Sequence, residues 1–216
     1  MIPKRLIASG CSFTAGYGLE DPATQAWPAV LGKLLGCETV NLAEPGAGNT
    51  YILNKVVDFK AANPGSDDLV IMGWSHWGRY DFCEPWGKIV HLAHNSRMHK
   101  DFRDHLFQSF YNEPYLYKKY LNTVLLAQSW LSQETARYFM FEALSSMHAG
   151  EYMAEPTNRA LAKKIDRKNF LGFAVKNMDN LTDVDQRLPD GHPNAVAHEQ
   201  MAHVLYWELI NRNNKG

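Results

Sequence analysis

The chain has 216 residues, 45% of them hydrophobic and 21% charged, with a formal net charge of -1. That length suits one α/β domain with a sizeable core, and the near-zero charge excludes the electrostatic footprint of a nucleic-acid or anionic-membrane binder. Three cysteines without paired spacing, Cys11, Cys37 and Cys83, argue against a disulfide framework and for a reducing compartment.

Residues 1–9 lack the long apolar run of a signal peptide. No stretch approaches the ~20 apolar residues of a membrane span, so a cytoplasmic setting without membrane partners is expected. Residues 4–9 form a short apolar run ending at Gly10, read as a first buried strand and a tight turn. Residues 22–35 carry Trp27, Val30, Leu31, Leu34 and Leu35 at helical spacing and stop at Gly36. A second strand over 38–42 runs into a glycine-rich turn over 45–48. Over 49–62, Ile52, Val56 and Phe59 share one face of an amphipathic helix that ends at Asn63-Pro64-Gly65. A third strand, 68–72, leads into Gly73. Strands alternating with helices predict right-handed βαβ units and a parallel sheet covered on both faces.

Residues 74–112 are rich in aromatics, histidine and charge without a clean period, and are expected to form an irregular insertion over the end of the sheet. A long helix over 113–133, a fourth strand over 137–141, mixed loop and short helix over 147–180, and a terminal helix over 193–211 complete the chain. In the last, Ala197, Met201, Val204 and Leu205 share a face and Pro193 suits the first turn. The expected fold is a single domain over 1–216, a three-layer α/β/α sandwich on a short, mostly parallel sheet of flavodoxin-like type.

Two segments carry chemistry. Gly10-Cys11-Ser12-Phe13-Thr14 puts a serine directly after a buried strand, at the carboxyl end where open parallel sheets bind ligands. Asp190-Gly191-His192-Pro193-Asn194 puts a histidine beside an aspartate at the start of the last helix. A serine hydroxyl becomes a useful nucleophile when a base takes its proton, and the base needs a carboxylate to set its tautomer. Alone, the first segment fits a capping serine and the second a surface turn.

Together, in this order, they resemble the SGNH/GDSL hydrolases. The strand-Gly-x-Ser-Phe-Thr start is similar to that family's first block, and Asp190 to Asn194 resembles its last. Asn41-Leu42-Ala43-Glu44-Pro45-Gly46-Ala47-Gly48-Asn49 resembles the second block, whose glycine supplies an oxyanion N–H. Val70 to Ser75 sits where the third block follows its strand. The resemblance implies the SGNH hydrolase fold, with Ser12 as nucleophile, His192 as base and Asp190 as orienting acid, Asp183 and Asp185 being the fallback carboxylates. It also implies an oxyanion site from the N–H groups of Ser12 and Gly48, aided by Ser75. Cys11 stands where the family's name motif has aspartate, and Ser75 where its third block has asparagine.

Asn49, Trp74, Trp77 and Arg79 are the candidate substrate contacts, and His76 with Arg79 suits an anionic substrate group. His91, His94 and His99 match no metal-ligand spacing and read as a solvated loop; His198 and His203 read as packing or surface residues. The implied reaction is cleavage of a small-molecule or carbohydrate ester through an acyl-enzyme, with no cofactor and no metal. The alternatives are a non-catalytic binding or structural protein on the same fold and an O-acyltransferase using the same site.

Overall fold

The computed structural model describes residues 3–65, 67–94, 96–97, 99–134, 137–144 and 149–213. Chain order is β1 (Arg5–Gly10), α1 (Ser12–Ala15), α2 (Pro22–Gln25), α3 (Trp27–Leu35), β2 (Glu38–Asn41), α4 (Asn49–Ala62), β3 (Asp68–Trp74), β4 (Tyr80–Cys83) and β5 (Ile89–Leu92). Then come α5 (Lys100–Ser109), α6 (Glu113–Glu134), β6 (Arg137–Glu142), α7 (Ala149–Tyr152), α8 (Pro156–Ala162), β7 (Phe170–Leu171), α9 (Met178–Leu181) and α10 (Ala195–Asn213). Within the stretch expected as mixed loop and short helix, residues 147 and 148 lie outside the described residues.

The central sheet has the order β2-β1-β3-β6-β7, and every pairing in it is parallel. From β1 the chain steps one way to β2, then the other way through β3 and β6 to β7. Right-handed crossovers therefore put α3 on one face and α4 and α6 on the other. The helix contacts agree: α10 packs on α3, and α6 packs on α4. β3 lies between β1 and β6 and is buried at all seven positions, which is why its sequence is a continuous apolar run rather than an alternation. Its first residue, Asp68, receives the Arg5 guanidinium at 2.9 Å and the Lys60 ammonium at 2.8 Å. This charge cluster lies at the end of the sheet opposite the carboxyl ends.

Three expectations need correction. The helix over 22–35 is two helices, because Ala26 is extended (φ −66°, ψ 146°). In one continuous helix the Pro28 ring would meet the Thr24 carbonyl and offer it no N–H. The expected irregular insertion over 74–112 is ordered in large part: β4 and β5 pair as an antiparallel hairpin, and α5 follows. Val90, Leu92 and Leu106, with Tyr80, Phe82 and Phe107 packed on them, give it a small core of its own. The two-residue β7 was not expected; Phe170 and Leu171 are both buried beside β6, and two residues are too few to show a period.

Candidate active site

Ser12 opens α1 immediately after β1 and is 5% exposed. β1 is also the strand at which the connection order reverses, the crevice where open parallel sheets hold their ligands. A cavity of about 420 Å³ opens there. Its walls follow the carboxyl ends of three neighbouring strands: Ser12 and Tyr17 after β1, Pro45 and Gly46 after β2, and Arg79 after β3. His192 enters from just ahead of α10, and His91, Ala93 and Ser96 close the outer side from the insertion. Ser12 and His192, 180 positions apart in sequence by subtraction, thus border one cavity.

The His192 segment is a tight reversal. Arg187 and Pro193 form an antiparallel bridge, Leu188 N–H donates to the His192 carbonyl at 2.7 Å, and Gly191 takes a left-handed φ of 86°. Asp190 Oδ1 accepts the His192 backbone N–H at 3.1 Å, and Asp190 Oδ2 lies 3.1 Å from His192 Nδ1. The second contact is off-axis: Nδ1 is buried without an aligned hydrogen-bond partner among the described residues. The His192 backbone N–H holds the Asp190 carboxyl below its ordinary value. Asp183 and Asp185 flank and occupy the short turn Val184–Gln186, where Asp183 N–H donates to Gln186 Oε1. The carboxylate beside His192 is Asp190.

Packing fixes the ring. The His192 centroid lies 5.7 Å from that of Phe13 and 4.9 Å from that of Tyr17. The Arg187 guanidinium stacks over Phe13 at 5.8 Å and hydrogen-bonds to Asp179, to Thr182 Oγ1 and to the Gly191 carbonyl.

Several expected site residues do other work. Gly48 N–H, expected in the oxyanion site, donates to Asp81 Oδ1 at 2.8 Å, and Tyr51 N–H donates to Asp81 Oδ2 at 3.1 Å. The Asp81 carboxylate thus occupies the amino end of α4, where unpaired N–H groups attract negative charge. Glycine is required for this approach, since a Cβ on Gly48 would fall 2.6 Å from Asp81 Oδ2.

Asn49, expected to touch substrate, instead clamps the backbone after β3. Its Oδ1 accepts Ser75 N–H at 2.8 Å and its Nδ2 donates to the Ser75 carbonyl at 3.0 Å. Ser75 is fixed by its main chain, while its Oγ is buried with no partner among the described residues. Trp74, expected as a substrate wall, is a core residue set edge-on to Tyr120. Trp77 likewise packs edge-on to Tyr117 and Tyr152. Trp74 is the last residue of the fully buried β3 and Trp77 follows it closely, so burial wins over exposure at the rim. Of the four expected substrate contacts, Arg79 is the one that lines the cavity.

His91, expected in a solvated loop with His94 and His99, reaches the cavity wall and has a side chain only 8% exposed. His94 and His99 are exposed. The signal was present in the alternation of β5, where Val90 and Leu92 face the small core and His91 must face the other way. His198 is buried, as expected for a packing residue, and its Nδ1 accepts Trp27 N–H at 3.1 Å. Among the described residues no group of three His, Cys, Asp or Glu side chains is placed to hold a metal, and no helix is long and apolar enough to cross a membrane.

No protein-family model and no curated protein matches the sequence. Solved structures do match the fold. A protein described as lipolytic, of the G-D-S-L family, from Desulfitobacterium hafniense is 16% identical over 95% of this chain and 99% of its own, with a TM-score of 0.56. The psychrotrophic esterase EstA from Pseudoalteromonas sp. is 14% identical over 98% of this chain and 97% of its own, with a TM-score of 0.56. The acetyl xylan esterase Est2A from the rumen bacterium Butyrivibrio proteoclasticus is 14% identical over 99% of this chain and 65% of its own, with a TM-score of 0.59. The parallel sheet, its strand order and these likenesses together give one result: the chain has the SGNH/GDSL hydrolase fold.

Proposed function

We propose that the protein is a serine hydrolase that cleaves an ester through an acyl-enzyme. The observation that supports this reading best is that Ser12 and His192 border one cavity at the carboxyl end of the sheet, with Asp190 beside the His192 ring. His192 takes the Ser12 proton as Ser12 Oγ attacks the ester carbonyl, then returns it to the departing alcohol. Water, deprotonated by His192, next attacks the acyl carbonyl; the bond to Ser12 Oγ breaks, His192 returns the proton to Ser12 Oγ, and the acid is released. The Ser12 backbone N–H, at the first turn of α1, holds the developing oxyanion. Gly48 N–H is committed to Asp81 and is assigned no part in that step. Because Est2A is an acetyl xylan esterase, small O-acyl groups on carbohydrate are the substrates to try first.

A second reading, carbohydrate binding without turnover, is favoured by one observation: the Gly48 N–H expected in the oxyanion site is taken by Asp81. Labelling with a fluorophosphonate probe and peptide mapping separates the two. Covalent capture at Ser12, abolished in Ser12→Ala and accompanied by hydrolysis of 4-nitrophenyl acetate, supports the enzyme. A protein that binds acetylated xylo-oligosaccharide but shows neither labelling nor turnover supports the binding module.

A further inference from the structure

A second histidine–carboxylate pair reaches the cavity through His91. His91 Nδ1 lies 2.8 Å from Asp81 Oδ1. Asp81 is held in turn by the N–H groups of Gly48 and Tyr51 at the amino end of α4. A carboxylate gripped by two main-chain donors is a rigid anchor, and its bond to Nδ1 fixes the orientation of the imidazole. His91 Nε2 is buried with no hydrogen-bond partner among the described residues. The nearest carboxylate oxygen to it, Glu44 Oε1, stands 3.5 Å away on a side chain that is 45% exposed.

Arg79, half-buried, lines the same cavity. Its guanidinium carries five donors, and the one bond it makes among the described residues is a 3.4 Å contact with the Ala47 carbonyl. Among the described residues that line the cavity none is Asp or Glu, although Glu44 stands beside His91. A half-buried guanidinium without a carboxylate partner among the described residues is complementary to an anion.

The geometry points to an anion subsite formed by Arg79 and His91, so that the ester cleaved at Ser12 carries a carboxylate of its own. One carboxylate oxygen pairs with the Arg79 guanidinium, and the other meets the Nε2 edge of the His91 ring, which Asp81 holds through Nδ1. Substrate selection at Ser12 rests on the proposed hydrolase reading; anion binding does not.

The test uses matched esters. Mono-4-nitrophenyl glutarate and its methyl ester differ in a carboxylate on the acyl side; 4-acetoxybenzoate and phenyl acetate differ in one on the alcohol side. The wild-type protein is expected to favour the charged member of one pair by at least about tenfold in kcat/KM, the scale of one or two charge-assisted hydrogen bonds. Which pair shows it tells on which side of the scissile bond the carboxylate lies. Arg79→Gln and His91→Gln are each expected to bring that ratio to within about threefold of unity, and Arg79→Lys to keep part of it.

The same four compounds, titrated into Ser12→Ala and followed by amide chemical shifts, read binding without chemistry. Tighter binding of the charged member in the absence of any wild-type turnover or Ser12 labelling would overturn the hydrolase reading and leave the subsite standing. Equal binding within both pairs overturns the subsite, whatever the turnover. If the glutamine variants do not fold, the wild-type ratios and the Ser12→Ala titration decide the question.

Discussion

Gly48 gives its backbone N–H to the carboxylate of Asp81, 33 residues further along the chain, at 2.8 Å. Through this contact the hairpin of the insertion is tied to the amino end of α4, and the same carboxylate orients His91. Asp81→Ala leaves two main-chain donors and a histidine without their acceptor. It should lower stability by about 1–2 kcal/mol, in the range of a lost helix cap, seen as a melting temperature about 2–8 °C lower for a chain of this size. An unchanged melting temperature would mean that water serves these donors equally well.

Asp190 is 50% exposed and its contact with His192 Nδ1 is off-axis. Asp190→Asn should therefore cost about a hundredfold in kcat, below the roughly 10⁴-fold reported for a buried triad aspartate, with KM nearly unchanged. If the loss is under about threefold, Asp190 acts as a turn cap and the orienting carboxylate lies elsewhere; Asp183→Asn and Asp185→Asn then identify it.

On the proposed hydrolase reading, Arg187 positions His192. It ties the His192 turn to α9 through Asp179 and Thr182, and it stacks on Phe13, which itself meets the His192 ring. Arg187→Met should lower kcat by about tenfold through a small displacement of the base. KM should change little, and Arg187→Lys should recover only part of the loss because lysine lacks the planar fork. A change confined to melting temperature would assign Arg187 to stability alone.

His198 is fully buried, and burial pushes its imidazole down to about 4, with the neighbouring His192 adding to the effect. Its folded-state value lies below the unfolded 6.5, so the unfolded chain binds the extra proton. The associated stability is complete above the unfolded value and is lost as pH falls from there through about 4. The loss should reach about 3 kcal/mol. Urea unfolding at pH ~7 and ~4 should show a smaller decrease in His198→Gln; equal decreases in the two proteins would remove His198 as the source.

Much of the fold could be read from the sequence because its signals are local. The apolar run of β3, the glycine after β1 and the helical spacing of α4 and α10 each express a period or a turn among neighbouring residues. Ser12 after the first strand and Asp190-Gly191-His192 before the last helix were legible for the same reason, and in a parallel sheet both positions lie at the ligand-binding end.

What only the tertiary structure decided is which distant groups meet. Nothing adjacent to Gly48 says that Asp81 will take its N–H, because that depends on where the β4–β5 hairpin docks. The same register turns His91 inward from a segment whose composition reads as solvated. Trp74 and Trp77 could have lined a groove or filled the core, and packing against Tyr120, Tyr117 and Tyr152 settled it. Periodicity specifies a face of an element, whereas the partner of that face is set by how whole elements pack, over separations that no local pattern spans.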